Sequence, residues 1–175
     1  MDRNDSFREF MAVHQQSLMR TAYLLTGDAH LAEDLLQSVL LKVLSRWPKL
    51  VDVTSPQAYA RKALVNQHIS WRRRRTKAAE LPSAEPPDRR YSIEDPTIIR
   101  IMMLRALAQL PPKQRTVIVL RYYEDLTEHE TAKLLNCSIG TVKSQAHHAL
   151  ARLRVLAPEL APKFAEMEDL EGARR

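Results

Sequence analysis

The chain has 175 residues, with 27 Lys and Arg against 21 Asp and Glu and a formal net charge of +6. Three glycines are too few for the tight turns of an all-β domain and leave no glycine-rich phosphate loop. The single cysteine excludes an intramolecular disulfide and a Cys-based zinc site.

Hydrophobic residues make up 45% of the chain, enough for a packed core rather than wholesale disorder. No apolar run approaches the roughly 20 residues of a membrane span, and the polar N-terminus does not resemble a signal peptide. The expected compartment is the cytoplasm, with no membrane partner. A basic, cysteine-poor chain points first to an anionic partner, most commonly nucleic acid.

The charge is segmented. Residues 1–75 hold 12 basic and 7 acidic side chains, a net of +5; residues 76–97 hold 3 and 5, a net of −2. Residues 98–157 hold 9 and 4, again +5, and residues 158–175 hold 3 and 5, again −2. Pro82, Pro86, Pro87 and Pro96 fall in the first acidic stretch, where each interior proline would cost a helix about 3 kcal/mol. The pattern predicts an all-α protein of two small helical domains, 5–75 and 98–157, joined by an acidic Pro-rich linker over 76–97.

The first predicted helix covers 6–25, with Phe7, Phe10, Met11, His14, Leu18, Ala22 and Leu25 at helical spacing. Gly27 ends it and Asp28 caps the next. The second helix covers 29–47, with Leu31, Leu35, Val39, Val43 and Trp47 on one face and Leu36, Leu40 and Leu44 widening it. Pro48 is expected to stop it and 49–54 to form a loop. Ser55-Pro56 is a helix-start signal, so a third helix covers 56–75. Tyr59, Ala60, Ala63, Leu64 and Trp71 are expected inside. Arg61, Lys62, Asn66, Gln67, Ser70 and Arg72 to Arg75 are expected outside, where bases and phosphates can be bound by stacking and charge.

Past the linker, a helix over 97–109 is followed by the Pro111-Pro112 break and a helix over 113–123 with Val117, Ile118 and Leu120 inside. Thr127-Glu128-His129-Glu130 has the capping-box pattern and opens a helix through Leu135. Asn136 suits a left-handed residue, and Ser138 caps a longer helix to about Leu156. Two helices joined by so short a turn form a helix-turn-helix, whose second helix enters the major groove with its N-terminal residues at the base edges. Those residues are Thr141, Lys143, Ser144, Gln145, His147 and His148, with Arg152 beyond. Val142, Ala146, Ala149, Leu150 and Leu153 form the buried side.

Two motifs now stand in order. AEDLLQSVLLKVLSRW, residues 32–47, resembles the helix by which sigma factors grip the clamp of bacterial RNA polymerase. LPPKQRTVIVLRYYEDLTEHETAKLLNCSIGTVKSQAHHALARLR, residues 110–154, resembles sigma region four. With a short linker between them, the chain resembles an extracytoplasmic-function, or group four, sigma factor, of the SigE-like subgroup common in actinobacteria.

The resemblance implies a division of labour. Glu33, Asp34 and Gln37 would dock on the clamp helices of core polymerase. The segment before the third helix, 50–55 with Asp52, Val53 and Thr54, would take a flipped base of the minus-ten element. Arg61, Lys62, Asn66, Arg72 and Arg73 would hold the non-template strand. Thr141, Lys143, Ser144, Gln145, His147, His148 and Arg152 would bind the minus-thirty-five duplex, with region four also meeting the polymerase flap. An anti-sigma factor is a common partner in that family, and the free protein is expected to be a monomer. The 22-residue linker behaves as a coil of about 26 Å but extends to roughly 70 Å, enough to span the two promoter elements only when stretched.

Departures from the family pattern are Ser38-Val39-Leu40 after the clamp-helix Gln37, Ser70 in place of an Asp, and His147-His148 in the groove helix. Adjacent histidines diverge by about 100° on a helix, so they do not read as a chelate. Glu33, Asp34 and Glu9 read as exposed acids, Cys137 as a small packed residue, and Trp47 and Trp71 as core anchors. Residues 166–171 read as a frayed, solvated end. No catalytic residue, metal or cofactor is expected. The alternative reading is a stand-alone helix-turn-helix regulator.

Overall fold

The computed structural model describes residues 3–53, 55–75 and 96–173, and every regular element among them is helical. The chain divides into two compact units, Met1–Glu80 and Leu81–Arg175. The first unit contains α1 (Arg3–Thr26), α2 (Ala29–Val53) and α3 (Pro56–Arg75). The second contains α4 (Pro96–Ala108), α5 (Pro112–Ile118), α6 (Glu128–Leu135), α7 (Ile139–Leu156) and α8 (Ala161–Ala173). Most of the predicted linker, 76–95, lies outside the described residues.

In the first unit the turn between α1 and α2 follows its sequence signals. Gly27 takes φ 71 and donates its N–H to the Tyr23 carbonyl at 2.7 Å. The Asp28 carboxylate accepts from the Leu31 N–H at 2.9 Å and caps α2. α1 packs against α2, with Leu18, Ala22 and Leu25 of α1 and Leu35, Val39 and Val43 of α2 buried in the core. The open end of the pair is pinned by Trp47. Its indole N–H donates to Ser6 Oγ at 2.9 Å, and its ring lies 5.0 Å from Phe7 and 5.1 Å from Phe10.

Pro48 does not stop α2, which continues to Val53. An interior proline costs about 3 kcal/mol. Trp47 and Leu50, on either side, are 3% and 6% exposed. Burial of each such side chain is worth about 1.5–3 kcal/mol, so continuing the helix outweighs the proline. The expected loop therefore shrinks to a short connection before Ser55, whose hydroxyl accepts from the Ala58 N–H at 3.4 Å. α3 packs through Ala60, Leu64, Val65 and His68, the last two not expected inside.

In the second unit, Pro111 and Pro112 start α5 at its cap and first helical position. α5 widens into a π-helical turn, Val119–Tyr123, where the Glu124 N–H reaches the Val119 carbonyl at 2.9 Å. This widening places Arg121 inside, 1% exposed, where its guanidinium donates to the Leu126 carbonyl and ties down the approach to α6. Arg115, also buried, donates to the Leu110 carbonyl at 3.4 Å. On α4, only Ala106 and Leu107 are buried, and Ile101 is exposed.

The C-terminal stretch is not frayed through its described length. Pro158–Leu160 forms a 3-10 turn and α8 folds back onto α7. Phe164 is fully buried, Leu160 is 2% exposed, and Arg154 pairs with Glu168 at 2.5 Å.

Candidate functional site

Three surfaces carry the residues singled out in the sequence. The first is the outer side of α2. Burying Ala32, Leu35, Leu36, Val39 and Val43 leaves Glu33, Asp34 and Gln37 exposed within two turns of one another. Beyond Gln37 the same side becomes apolar. A groove lined by Phe7 and Met11 of α1 and by Gln37, Leu40, Leu41 and Leu44 of α2 continues it. Leu41 is 68% and Leu44 42% exposed. The core-facing stripe expected for α2 includes Leu44, which is exposed instead, and Leu41 belongs to no expected surface. The signal was present, because a 3.6-residue period cannot bury every leucine in LLQSVLLKVL.

The second surface is α3 with the adjoining side of α2. Lys62, Asn66, Arg73 and Arg74 are exposed, as expected. Arg61, Gln67, Ser70 and Arg72 are only partly exposed, so the basic run does not lie wholly outside. Burial pushes the Arg72 guanidinium down from its ordinary pKa, although guanidinium stays protonated at neutral pH. Two α2 cations missed in the sequence join this surface. The Lys42 ammonium donates to the Gln67 side-chain oxygen, and Arg46 lies 5.9 Å from the centre of the Tyr59 ring. Asp52 and Val53 belong to the last turn of α2 rather than to a loop. Leu50 is buried and unavailable to a base, and Thr54 lies outside the described residues.

The third surface is the α6–α7 pair. The capping box is complete: the Glu130 N–H donates to Thr127 Oγ1 at 3.1 Å and the Thr127 N–H to the Glu130 carboxylate at 2.8 Å. These bonds from the Thr127 backbone and then its hydroxyl hold the Glu130 carboxyl below its ordinary pKa, against a smaller opposing effect of burial. Asn136 is left-handed at φ 53. The Cys137 N–H reaches the Ala132 carbonyl at 3.0 Å and the Asn136 N–H reaches that of Lys133 at 3.4 Å, a Schellman closure. Ser138 then caps α7 by accepting from the Thr141 N–H at 3.1 Å.

α7 divides cleanly. Val142, Ala146, Ala149, Leu150 and Leu153 are fully buried, and Val142 and Ala146 pack with Val117, Ala132, Leu135 and Cys137. Thr141, Lys143, Ser144, His147, His148 and Arg152 are exposed. Two expected readers differ in detail. The Thr141 hydroxyl is hydrogen bonded to Ser138 Oγ at 2.9 Å, and Gln145 is half-buried at the edge of the outward face. The His147 and His148 rings lie edge to face, 5.7 Å apart. Lys143 pairs with Glu128 of α6 at 3.4 Å. Among the described residues no group of three or more His, Cys, Asp and Glu is placed to hold a metal ion, and no helix is long and apolar enough to cross a membrane.

Comparison with known proteins finds two family matches, one in each half of the chain. The family described as Sigma-70 region 2 matches residues 10–78, and that described as Sigma-70, region 4 matches residues 100–153. The RNA polymerase sigma-E factor of Streptomyces antibioticus is 41% identical, over 97% of this chain and 92% of that protein. That of Streptomyces coelicolor is 38% identical, over 94% of each. The ECF RNA polymerase sigma factor SigL of Mycobacterium tuberculosis is 32% identical, over 84% of this chain and 86% of that protein. The fold is similar to that of the sigma factor RpoE, solved in complex with the anti-sigma factor NepR from Bartonella quintana. That match has a TM-score of 0.64 at 24% identity, over 87% of this chain and 97% of that one. The chain belongs to the extracytoplasmic-function sigma factors of the sigma-70 family, and its function is to bind core RNA polymerase and direct promoter-specific initiation of transcription.

Proposed function

We propose that the three surfaces divide this work as follows. Glu33, Asp34 and Gln37, with the groove formed by Phe7, Met11, Leu40, Leu41 and Leu44, receive the clamp helices of core polymerase. The acids set register and the leucines supply apolar burial. α3 holds the non-template strand of the minus-ten element through Lys62, Asn66 and Arg73, backed by Arg61 and Arg72. Asp52, Val53 and Thr54, at the connection to α3, take the extruded base.

α7 reads the minus-thirty-five duplex. Ser144, His147 and His148 face the base edges, while Thr141, Lys143, Gln145 and Arg152 flank them. Region four also docks on the polymerase flap. The protein supplies no chemistry of its own, works in the cytoplasm as a monomer until it joins polymerase, and is restrained by an anti-sigma factor.

The observation that carries this reading is the segregation on α7. Five fully buried apolar residues alternate with exposed polar ones on a helix capped at a helix-turn-helix turn. The clamp assignment is tested by Glu33→Lys with Asp34→Lys. Both sites are exposed, so the double variant keeps its helical circular dichroism and loses co-purification with core polymerase. Retained co-purification would remove these residues from the interface.

A further inference from the structure

Lys143 and Glu128 stand apart from the other ion pairs because they join the two helices of the helix-turn-helix. Glu128 is the first residue of α6, and its side chain is only 14% exposed. It is not needed for the cap, which Glu130 completes with Thr127. Lys143 is the fifth residue of α7, and its side chain keeps 45% of its surface open beside Glu128.

On a helical projection Lys143 lies about 140° from His148, about 100° from Ser144 and about 40° from His147, with the fully buried Leu150 only about 20° away on its other side. It therefore occupies the margin of the outward face, where a groove-bound helix meets a phosphate wall rather than the groove floor. A lysine there faces a general difficulty. Its ammonium is a point charge on a flexible stem and attaches to any phosphate within reach, adding affinity without sequence information.

Resting on the reading of α7 as the duplex-binding helix, we propose that Glu128 is a positioning and specificity-determining residue that acts through Lys143. The carboxylate holds the ammonium in one place and offsets its charge. An ammonium has three donors, so one engages Glu128 and the others stay directed outward. On the preferred duplex, a phosphate or base acceptor sits where those donors already point, and the contact forms without ordering a free lysine. On other duplexes the ammonium would have to leave Glu128 to reach a phosphate, so Lys143 adds little. The pair lowers generic attraction while preserving the registered contact.

The test uses the full chain and two fluorescent duplexes, one selected from a random pool by the wild-type protein and one of unselected sequence. Affinity is measured by anisotropy across a salt series for wild type, Glu128→Gln, Lys143→Ala and the double variant. Glu128→Gln is expected to tighten binding to the unselected duplex about 1.5- to fivefold, the range that surface ion pairs of about 0.2–1 kcal/mol span. Its salt slope should steepen by about one as a freed lysine neutralises one more phosphate. The selected duplex gains nothing, so discrimination falls. In the Lys143→Ala background Glu128→Gln should change neither duplex.

An unchanged slope on the unselected duplex would overturn the proposal, as would an equal effect with Lys143 removed. A purely structural role for Glu128 would lower the melting temperature and weaken both duplexes together, which also overturns it. Absence of any duplex binding by wild type would instead overturn the reading of α7 on which the proposal rests.

Discussion

Phe164 on α8 gives the sharpest test of how the second unit is built. Its ring is fully buried, on a helix that follows the end of the region-four match at residue 153. Replacing a buried phenylalanine by alanine costs about 3–5 kcal/mol. Area bookkeeping gives a similar figure, since about 150–250 Å² at 25 cal/mol per Å² is roughly 4–6 kcal/mol before alanine's share is removed. The described part of the second unit, residues 96–173, has 78 residues, for which total stability of about 4–12 kcal/mol is typical. Phe164→Ala thus removes from about a quarter to all of it. The two tryptophans, Trp47 and Trp71, both lie in the first unit, so indole fluorescence follows that unit while far-ultraviolet circular dichroism follows both. In a urea titration, Phe164→Ala should move the part of the circular dichroism transition that fluorescence does not see, and leave the fluorescence transition in place. Glu168→Gln, which breaks only the half-exposed pair with Arg154, should cost no more than about 1 kcal/mol. A Phe164→Ala change below about 1 kcal/mol would refute the docking of α8 as part of the core.

Three further outcomes are expected. Leu41→Asp with Leu44→Asp alters exposed positions, so stability should move by no more than about 0.5 kcal/mol per site. Binding to core polymerase in a pull-down titration should nevertheless fall about tenfold or more; unchanged binding would take the groove out of the interface. Gly140→Ala places a Cβ 3.7 Å from Ser138 Oγ, an ordinary contact, and should raise the stability of the second unit by about 0.5–1 kcal/mol in denaturant titrations. A loss would mean that α7 needs glycine at that position for a reason internal to the fold. The Glu130 carboxyl is held below its ordinary pKa of 4.5 by the Thr127 bonds. A depressed carboxyl stabilises above that value and loses its contribution as pH falls through the lower folded value. Melting curves between about pH 3 and 6 should therefore show wild type losing more stability on acidification than Glu130→Gln, whose amide keeps the cap bond at every pH. Identical acid sensitivity in the two would contradict this account of the cap.

The helix-turn-helix was legible because its determinants are local. Thr127, Glu130, Asn136 and Ser138 act within three or four residues, and each takes the role its chemistry suggests. The faces of α7 followed equally from a 3.6-residue period. What failed to read out depends on tertiary partners. Pro48 resembles a stop until Trp47 and Leu50 find the core on either side of it. Phe164 and Leu160 resemble isolated apolar residues in an acidic tail until α7 offers a surface that buries them. Arg121 and Arg115 resemble surface cations, yet the π turn and a nearby carbonyl bring them inside. The candidate site was read more completely than its surroundings. Glu33, Asp34, Gln37 and the outward residues of α7 lie on the faces expected, whereas Leu41, Lys42, Arg46 and Glu128 needed a neighbouring helix to show their place.

This chain directs core polymerase to specific promoters, and we propose that it does so through two separate DNA-binding surfaces. This division is tested most directly by run-off transcription with bacterial core polymerase on pooled genomic promoter DNA, using wild type, Arg73→Ala and Lys143→Ala. Discrete transcripts that require the wild-type protein are expected, weakened by either substitution, with start sites sharing one pair of upstream elements. No protein-dependent transcripts from core polymerase that the chain demonstrably binds would contradict this expectation.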